Sequence, residues 1–261
     1  MTIESDDESR HFPKMAAERG RVEPAPRRVR ARLNNALVLD TTRARYVWEV
    51  PYYPQYYVPI EDVMPGVLVE EGREQHLQWG SARVHTVTLA GTSRPSAARV
   101  YGSDAREGIA GTVRFDFEAL DWFEEDEPII GHPRNPYVRV DALRSHRHVV
   151  IGRDGLVLAN TTSPVLLFET GLPTRYYIDR TDVDFSHLTP SDTESVCPYK
   201  GITSRYWSLS TSALNEPDVA WVYDQPYRQV DPIAGLIAFY NEKLDITIDG
   251  TTLARPRTHF T

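Results

Sequence analysis

The stretch LVLDTTRARYVWEVPYYPQYYVPIEDV at residues 37–63 returns as LVLANTTSPVLLFETGLPTRYYIDRTDV at residues 156–183. With one residue inserted early in the second stretch, the two match at an offset of 120 positions. Thr41 and Thr42 meet Thr161 and Thr162, Glu49 meets Glu169, and Tyr56-Tyr57 meets Tyr176-Tyr177, with Asp62-Val63 facing Asp182-Val183. The match resumes where Ala98-Arg-Val-Tyr101 faces Ala220-Trp-Val-Tyr223 and Ile109-Ala-Gly111 faces Ile233-Ala-Gly235. Self-similarity of this length sets the domain count at two copies of one unit. It is also an internal control: shared features serve the fold, and features private to one copy need another explanation.

Each copy reads as short strands. Val29-Arg-Ala-Arg-Leu33 alternates, Asn34-Asn35 signals a tight turn, and Leu37-Val-Leu39 returns; Val149-Val-Ile151, Asp154-Gly155 and Leu156-Val-Leu158 repeat the hairpin. Tyr46-Val-Trp48, Tyr56-Tyr-Val58, Val165-Leu-Leu-Phe168 and Arg175-Tyr-Tyr-Ile178 are β-formers, as are segments at 83–89, 113–115, 204–209 and 244–248. Nothing sustains a 3.6-residue period, and 19 prolines discourage long helices. The pattern predicts an all-β fold built twice, with few short helices. The expected division is a flexible arm over 1–26, a divergent first copy over 27–120, a linker over 121–145 and a second copy over 146–261.

Composition narrows the function classes. At 41% hydrophobic and 25% charged, the chain is ordinary for a soluble globular protein. A net charge of −8 argues against nucleic-acid partners, which need surplus Lys and Arg. The cluster Arg27, Arg28, Arg30 and Arg32 reads as a solvated strand edge. A lone cysteine, Cys197, rules out an internal disulfide and fits a reducing compartment. No apolar run approaches the roughly 18 residues that cross a membrane, and the acidic start Met1 to Arg10 is unlike a secretory signal. The expectation is a cytoplasmic protein that binds neither nucleic acid nor membrane, with no cofactor and with contact between its two repeats.

Two strings in the second copy carry a family resemblance. They are Phe168-Glu-Thr-Gly-Leu-Pro-Thr-Arg-Tyr-Tyr177 and Thr189-Pro-Ser-Asp-Thr-Glu-Ser-Val-Cys-Pro-Tyr-Lys-Gly201, the latter followed by Tyr206-Trp207. Together with Gly131 to Val140 and Ser145-His-Arg-His148, they resemble the bacterial and fungal Domain of Unknown Function 427 family in tandem, over about residues 27–248. The resemblance implies a compact β-tent-like fold and implies no activity. A nucleotidyltransferase-like label attached to the family finds no support: that chemistry needs a Gly-Ser turn and converging carboxylates on Mg²⁺. Gly102-Ser-Asp104, the one candidate, reads as a β-turn.

Candidate chemistry concentrates in the second copy. Cys197-Pro-Tyr-Lys-Gly201 sets a thiol near an ammonium, an arrangement that acidifies a nucleophile. The repeat places His76 opposite Cys197, Trp79 opposite Lys200 and Gly80 opposite Gly201, so the fold requires neither Cys nor Lys there. Lys200 would bind an anion, or form an imine if burial depressed its pKa. Glu169 would act as acid or base, and together with Cys197 and Lys200 makes the candidate catalytic set. The plain alternatives are a small buried Cys197, a solvated Lys200 and a Glu169 that accepts backbone N–H bonds. Arg175, whose counterpart is Gln55, would pair with Glu169 or take a carboxylate or phosphate bidentately. Tyr176, Tyr199, Tyr206 and Trp207 would line the pocket, although adjacent tyrosines on a strand face opposite ways and core packing is the stronger expectation for Trp207. His132, His146, His148 and His187 match no zinc spacing, so no metal is expected. Two functions stay open: an enzyme acting on a small anionic metabolite, and a non-catalytic small-molecule-binding or assembly protein.

Overall fold

The computed structural model describes residues 17–212 and 214–258. The chain divides into two compact units that meet in sequence between Pro136 and Tyr137. Each contains a seven-stranded and a four-stranded antiparallel sheet with the same strand order. In the first unit the large sheet runs Val22–Pro24, Arg45–Val47, Gln55–Pro59, Thr112–Phe115, Thr92–Tyr101, Gly80–Leu89 and Leu68–Leu77. In the second it runs Val140–Arg144, Val165–Glu169, Arg175–Ile178, Ile237–Phe239, Asn215–Val222, Arg205–Ser210 and Leu188–Ser191. The small sheets are Glu127–Ile129, Asp121–Glu124, Val29–Leu33 and Ala36–Thr41 in one unit. Thr251–Thr252, Asp245–Ile248, Val149–Arg153 and Leu156–Thr161 form the other. The described helices are short 3₁₀ segments, such as Arg180–Asp182 and Arg228–Ile233, the latter kinked at Val230. The all-β, two-copy expectation therefore holds.

Turn chemistry explains the hairpins. Asn34 and Asn35 both take positive φ (49° and 61°), and Asp154 and Gly155 do the same (52° and 85°). This is the mirror-image turn whose twist matches a two-residue hairpin. Both hairpins carry a bulge at the same place, after Ala31 in one and after Ile151 in the other. Through the first hairpin and as far as Val63 the offset of 120 is unbroken in three dimensions: the isolated bridges Leu39 to Val63 and Ala159 to Val183 are counterparts. Leu39 thus answers Ala159, and the insertion suggested by the sequence match disappears.

The linker over 121–145 is not a linker. Asp121–Glu124 pairs with Val29–Leu33 on one side and Glu127–Ile129 on the other, completing the first unit's small sheet. The acidic run Glu124-Glu-Asp-Glu127 forms its hairpin turn, with Glu125 at φ 51°. Val140–Arg144 pairs with Val165–Glu169 as the edge strand of the second unit. Acidic residues and prolines mimic linker composition here because Glu127–Ile129 and Val140–Arg144 are edge strands and the acids fill the turn beside the first of them. The intervening string is pinned to the first unit: His132 stacks on Tyr53 at 3.9 Å, and buried Asn135 donates to the Tyr52 carbonyl at 2.9 Å. Within the expected arm, residues 1–16 lie outside the described residues, and Val22–Pro24 is a strand paired with Arg45–Val47.

The main core of each unit lies between its two sheets. Val29, Ala31, Val38 and Trp122 from the small sheet meet Tyr46, Tyr56, Val58 and Phe115 from the large one. Val149, Ile151, Leu158 and Ile246 meet Leu166, Tyr176, Ile178 and Phe239 likewise. One carboxylate is sunk in the first core: buried Glu124 accepts from Tyr56 Oη at 2.6 Å and Tyr46 Oη at 3.2 Å and pairs with Arg27. Its register counterpart is Ile248, each being opposite Val29 or Val149. Glu124→Ala strands the buried Tyr56 hydroxyl and removes the carboxylate that pairs with Arg27. Urea unfolding is expected to show a loss of about 2–4 kcal/mol, and equal stability in variant and wild type would exclude a structural role for the carboxylate.

Candidate functional site

A second, smaller cluster covers the outer face of each large sheet, and strand alternation decides which residues reach it. Along Val165–Glu169, Val165 and Leu167 enter the outer cluster while Leu166 enters the core. Along Arg175–Ile178, Tyr177 is outer, and Tyr176 and Ile178 are core. Along Arg205–Ser210, Tyr206 is outer and Trp207 is core, packed on Phe185 at 5.5 Å. Trp221, Tyr223, Val230 and Ile233 complete the outer cluster. Tyr176 and Trp207, both expected to line a pocket, therefore sit on the wrong face for it. Tyr177 holds the position the sequence assigned to its neighbour.

Lys200 arrives from a turn between two large-sheet strands. Val196–Cys197 pairs with Gly201–Ile202, and the Lys200 amide donates to the Cys197 carbonyl at 3.3 Å. Gly201 takes φ 105°, where an L side chain is strained, and the Tyr227 amide anchors the Lys200 carbonyl at 3.0 Å. These constraints drive the side chain inward, and Lys200 Nζ forms a short ion pair with Glu169 Oε2. Side-chain exposures of 11% and 8% make this a nearly enclosed pair. Burial alone would lower the Lys200 pKa, but the negative charge of Glu169 outweighs it and the net shift is upward. Lys200 is thus an ammonium at neutral pH, and the imine expectation, which needed a depressed pKa, is overturned.

Beside this pair lies the fully buried Tyr177 hydroxyl, which has no acceptor among the described residues. Burial pushes it up to about 12, with Lys200 acting to lower it. Cys197 is half-buried and near enough to act electrostatically on Lys200, Tyr177 and Tyr223. Tyr206 Oη hydrogen-bonds Ser195 Oγ at 2.7 Å, which braces the turn. Tyr199 is half-buried between Pro198 and Lys200. Glu169 also borders a cavity of about 260 Å³ with Phe168, Thr170, Leu172, Thr174 and Arg139. None of the other sequence-predicted site residues lines that cavity.

Arg175 is taken up by the protein itself. It grips Glu242 bidentately at 2.6 and 2.8 Å and Asn241 at 3.1 Å, and its guanidinium lies over Tyr240 and Trp221 at 5.4 and 5.7 Å. The bidentate carboxylate expected for it is an internal one, and Glu169 is not its partner.

The first copy holds the same constellation with its cation moved. Tyr57, Glu49 and Tyr101 are the counterparts of Tyr177, Glu169 and Tyr223, but here Tyr57 Oη donates to Glu49 Oε1 at 2.9 Å and approaches Tyr101 Oη at 3.4 Å, bonds that Tyr177 lacks among the described residues. Trp79 answers Lys200: the Arg106 amide binds the Trp79 carbonyl at 2.8 Å just as the Tyr227 amide binds that of Lys200. The positive charge comes instead from Arg114, whose Nε reaches Glu49 Oε1 at 3.1 Å. Register places Arg114 opposite Tyr57 and Ala238 opposite Tyr177, so Arg114 answers an alanine. The pair survives while its cation comes from a different element, the turn bearing Lys200 in one copy and the strand Thr112–Phe115 in the other. The sequence comparison missed this because it compared position with position, whereas the charge migrated across the sheet.

Gly102-Ser-Asp104 is the expected turn, the Ala105 amide donating to the Gly102 carbonyl at 3.3 Å. Among the described residues no group of three or more His, Cys, Asp or Glu is placed to hold a metal ion. No described helix is long and apolar enough to cross a membrane.

Fold and site together define a duplicated all-β protein whose copies each carry a carboxylate–cation pair and two tyrosines on the outer face of a large sheet. The chain belongs to the Domain of Unknown Function 427 family, whose profile matches residues 21–126 and again 141–250. A comparison with curated proteins finds no match.

Proposed function

We propose that the second copy is the working site of a small-molecule protein, and that Glu169, Lys200 and Tyr177 recognise an oxyanion or carbonyl oxygen of an organic metabolite. The observation that carries this reading is a surplus of donors. The Lys200 ammonium has three N–H groups and Glu169 accepts from it, while the neighbouring Tyr177 hydroxyl has no acceptor. Such groups, shut away from water, favour an incoming oxygen that accepts from them. A fold gains little from a buried ion pair that an apolar pair would not give, and the second copy nevertheless keeps one. Lys200, held protonated by Glu169, supplies positive charge; Tyr177 supplies a neutral donor; Cys197 is the adjacent thiol. Nucleophilic attack by that thiol would make the site catalytic.

Native mass spectrometry of the purified full chain tests the reading. A copurifying small acid is expected, and Lys200→Gln is expected to weaken its binding by at least about tenfold, Tyr177→Phe by about fivefold. An acid retained equally by both variants, or a wild-type protein that carries none and is not stabilised by any of a panel of small carboxylates, would sink the proposal. Iodoacetamide separates the catalytic form from the binding form. Alkylation of Cys197 faster than a free thiol at pH 7, slowed in Lys200→Gln, supports the nucleophile.

A further inference from the structure

The first copy, whose sequence diverges from the second, is not an empty shell. A cavity of about 420 Å³ opens beside its carboxylate–cation pair, within the size range of small-molecule sites. Glu49, Tyr57, Trp79, Arg99, Arg114 and Asp116 line it, and Arg19 stands at its border. Three arginines face two carboxylates, leaving one positive charge in excess. Arg114 is held in place by both acids, through Glu49 at 3.1 Å and a short contact to Asp116.

Arg99 is fixed at one end only. Its Nε binds Gln75 at 3.3 Å, and its Nη1 binds the Ser96 carbonyl at 2.6 Å and Asp116 at 2.9 Å. Its Nη2 has no acceptor among the described residues. Arg19 is anchored at Nε to the Glu49 carbonyl at 2.8 Å, with its terminal nitrogens likewise unassigned. An arginine oriented by its own protein, with N–H groups left over, is prepared to receive a carboxylate at low entropic cost. The other wall is aromatic. Trp79 replaces the lysine of the second copy, and Arg106 lies over its ring at 5.5 Å. Gly20 admits the ring edge, since a Cβ there would stand 2.5 Å from Trp79. Val50 and Leu77 extend the apolar surface.

We infer that the first copy is a second, independent binding site for a monocarboxylic acid with a planar apolar body, the carboxylate held by Arg99 and Arg19 and the body lying against Trp79. A single excess charge suits a carboxylate better than a dianionic phosphate, and an apolar wall beside a guanidinium suits an aryl acid better than a short hydroxy acid. The site uses none of the residues of the second copy's pair, so the two assignments stand or fall separately.

Titration of the full-length protein with 3-phenylpropionate, followed by calorimetry and tryptophan fluorescence, tests it. Saturable binding is expected, at least about tenfold tighter than for 3-phenylpropionamide and than for inorganic phosphate. Arg19→Ala, at an exposed position, is expected to weaken binding about three- to tenfold, and Trp79→Leu to weaken it and to abolish the fluorescence change. Lys200→Gln is expected to leave it unchanged. Equal affinity for acid and amide, no binding to about 10 mM, or a loss confined to Lys200→Gln would overturn the inference. Preference for phosphate over the aryl acid would overturn it as well.

Discussion

Arg175→Met is expected to destabilise the second copy by about 3–5 kcal/mol, as does removal of one partner from other buried ion pairs. Glu242 has no solvent-exposed side-chain surface, and Arg175 keeps only 7% of its own. Once the guanidinium is gone, Thr258 still donates to the carboxylate at 2.7 Å, and it carries no charge. The melting temperature should fall by roughly 10–20 °C, with faster hydrogen exchange across residues 137–258. The double variant Arg175→Met, Glu242→Leu should recover most of the loss, because a packed apolar pair is a fair substitute. The pH dependence gives an independent check. Burial opposes ionisation of Glu242, but the hydrogen bonds and charge of Arg175 outweigh it and the net pKa lies below the ordinary 4.5. The wild type therefore keeps this contribution above that value and loses it as pH falls through the lowered one. In Arg175→Met burial is opposed only by the Thr258 and backbone hydrogen bonds and the carboxyl pKa rises, so the stability gap should narrow as pH falls from 7 towards 4. A gap that does not change with pH would show that lost packing, not stranded charge, is the cause.

Glu169→Leu should cost a similar amount, about 3–5 kcal/mol at neutral pH, by leaving Lys200 enclosed without a counter-charge. Its pH signature is of opposite sign. In the wild type Lys200 is raised above its ordinary 10.5. Its contribution is complete below 10.5 and disappears as pH rises through the folded-state value. In the variant, burial lowers the Lys200 pKa, and between that value and 10.5 the unfolded chain binds more protons than the folded one. Stability should then rise with pH through that window, where the wild type shows no such gain. Denaturant unfolding between pH 7 and 10 reads the difference directly. Glu169→Leu, Lys200→Met should restore stability without restoring ligand binding, which distinguishes a working pair from a structural one. If the double variant binds as well as the wild type, the pair serves only the fold.

Much of the architecture was legible because it rests on local chemistry. Asn34-Asn35 and Asp154-Gly155 mark mirror-image turns, and Val29, Ala31 and Leu33 alternate into the core. The duplication itself needs no coordinates. Composition misled where it stood in for pairing: Glu124 to Glu127 looked like solvated linker, yet one of its acids is among the most buried in the chain. Alternation says that one tyrosine of Tyr176-Tyr177 faces outward without saying which, and only Val165 and Leu167 across the strand decide it. Arg175 looked free for a ligand since Glu242, 67 residues away, gives no local signal.

Sequence alone determined that the chain is an all-β domain written twice, because strand period, turn residues and repetition are properties of neighbours along the chain. It also singled out Glu169 and Lys200 as residues of interest. The tertiary structure decided that they meet, that Lys200 stays charged, and that the first copy rebuilds the pair with Arg114 where the second has Ala238. Sheet register sets which side chains converge, and register joins elements far apart in sequence, so a charge supplied from a turn in one copy and from a strand in the other leaves no mark on any local pattern.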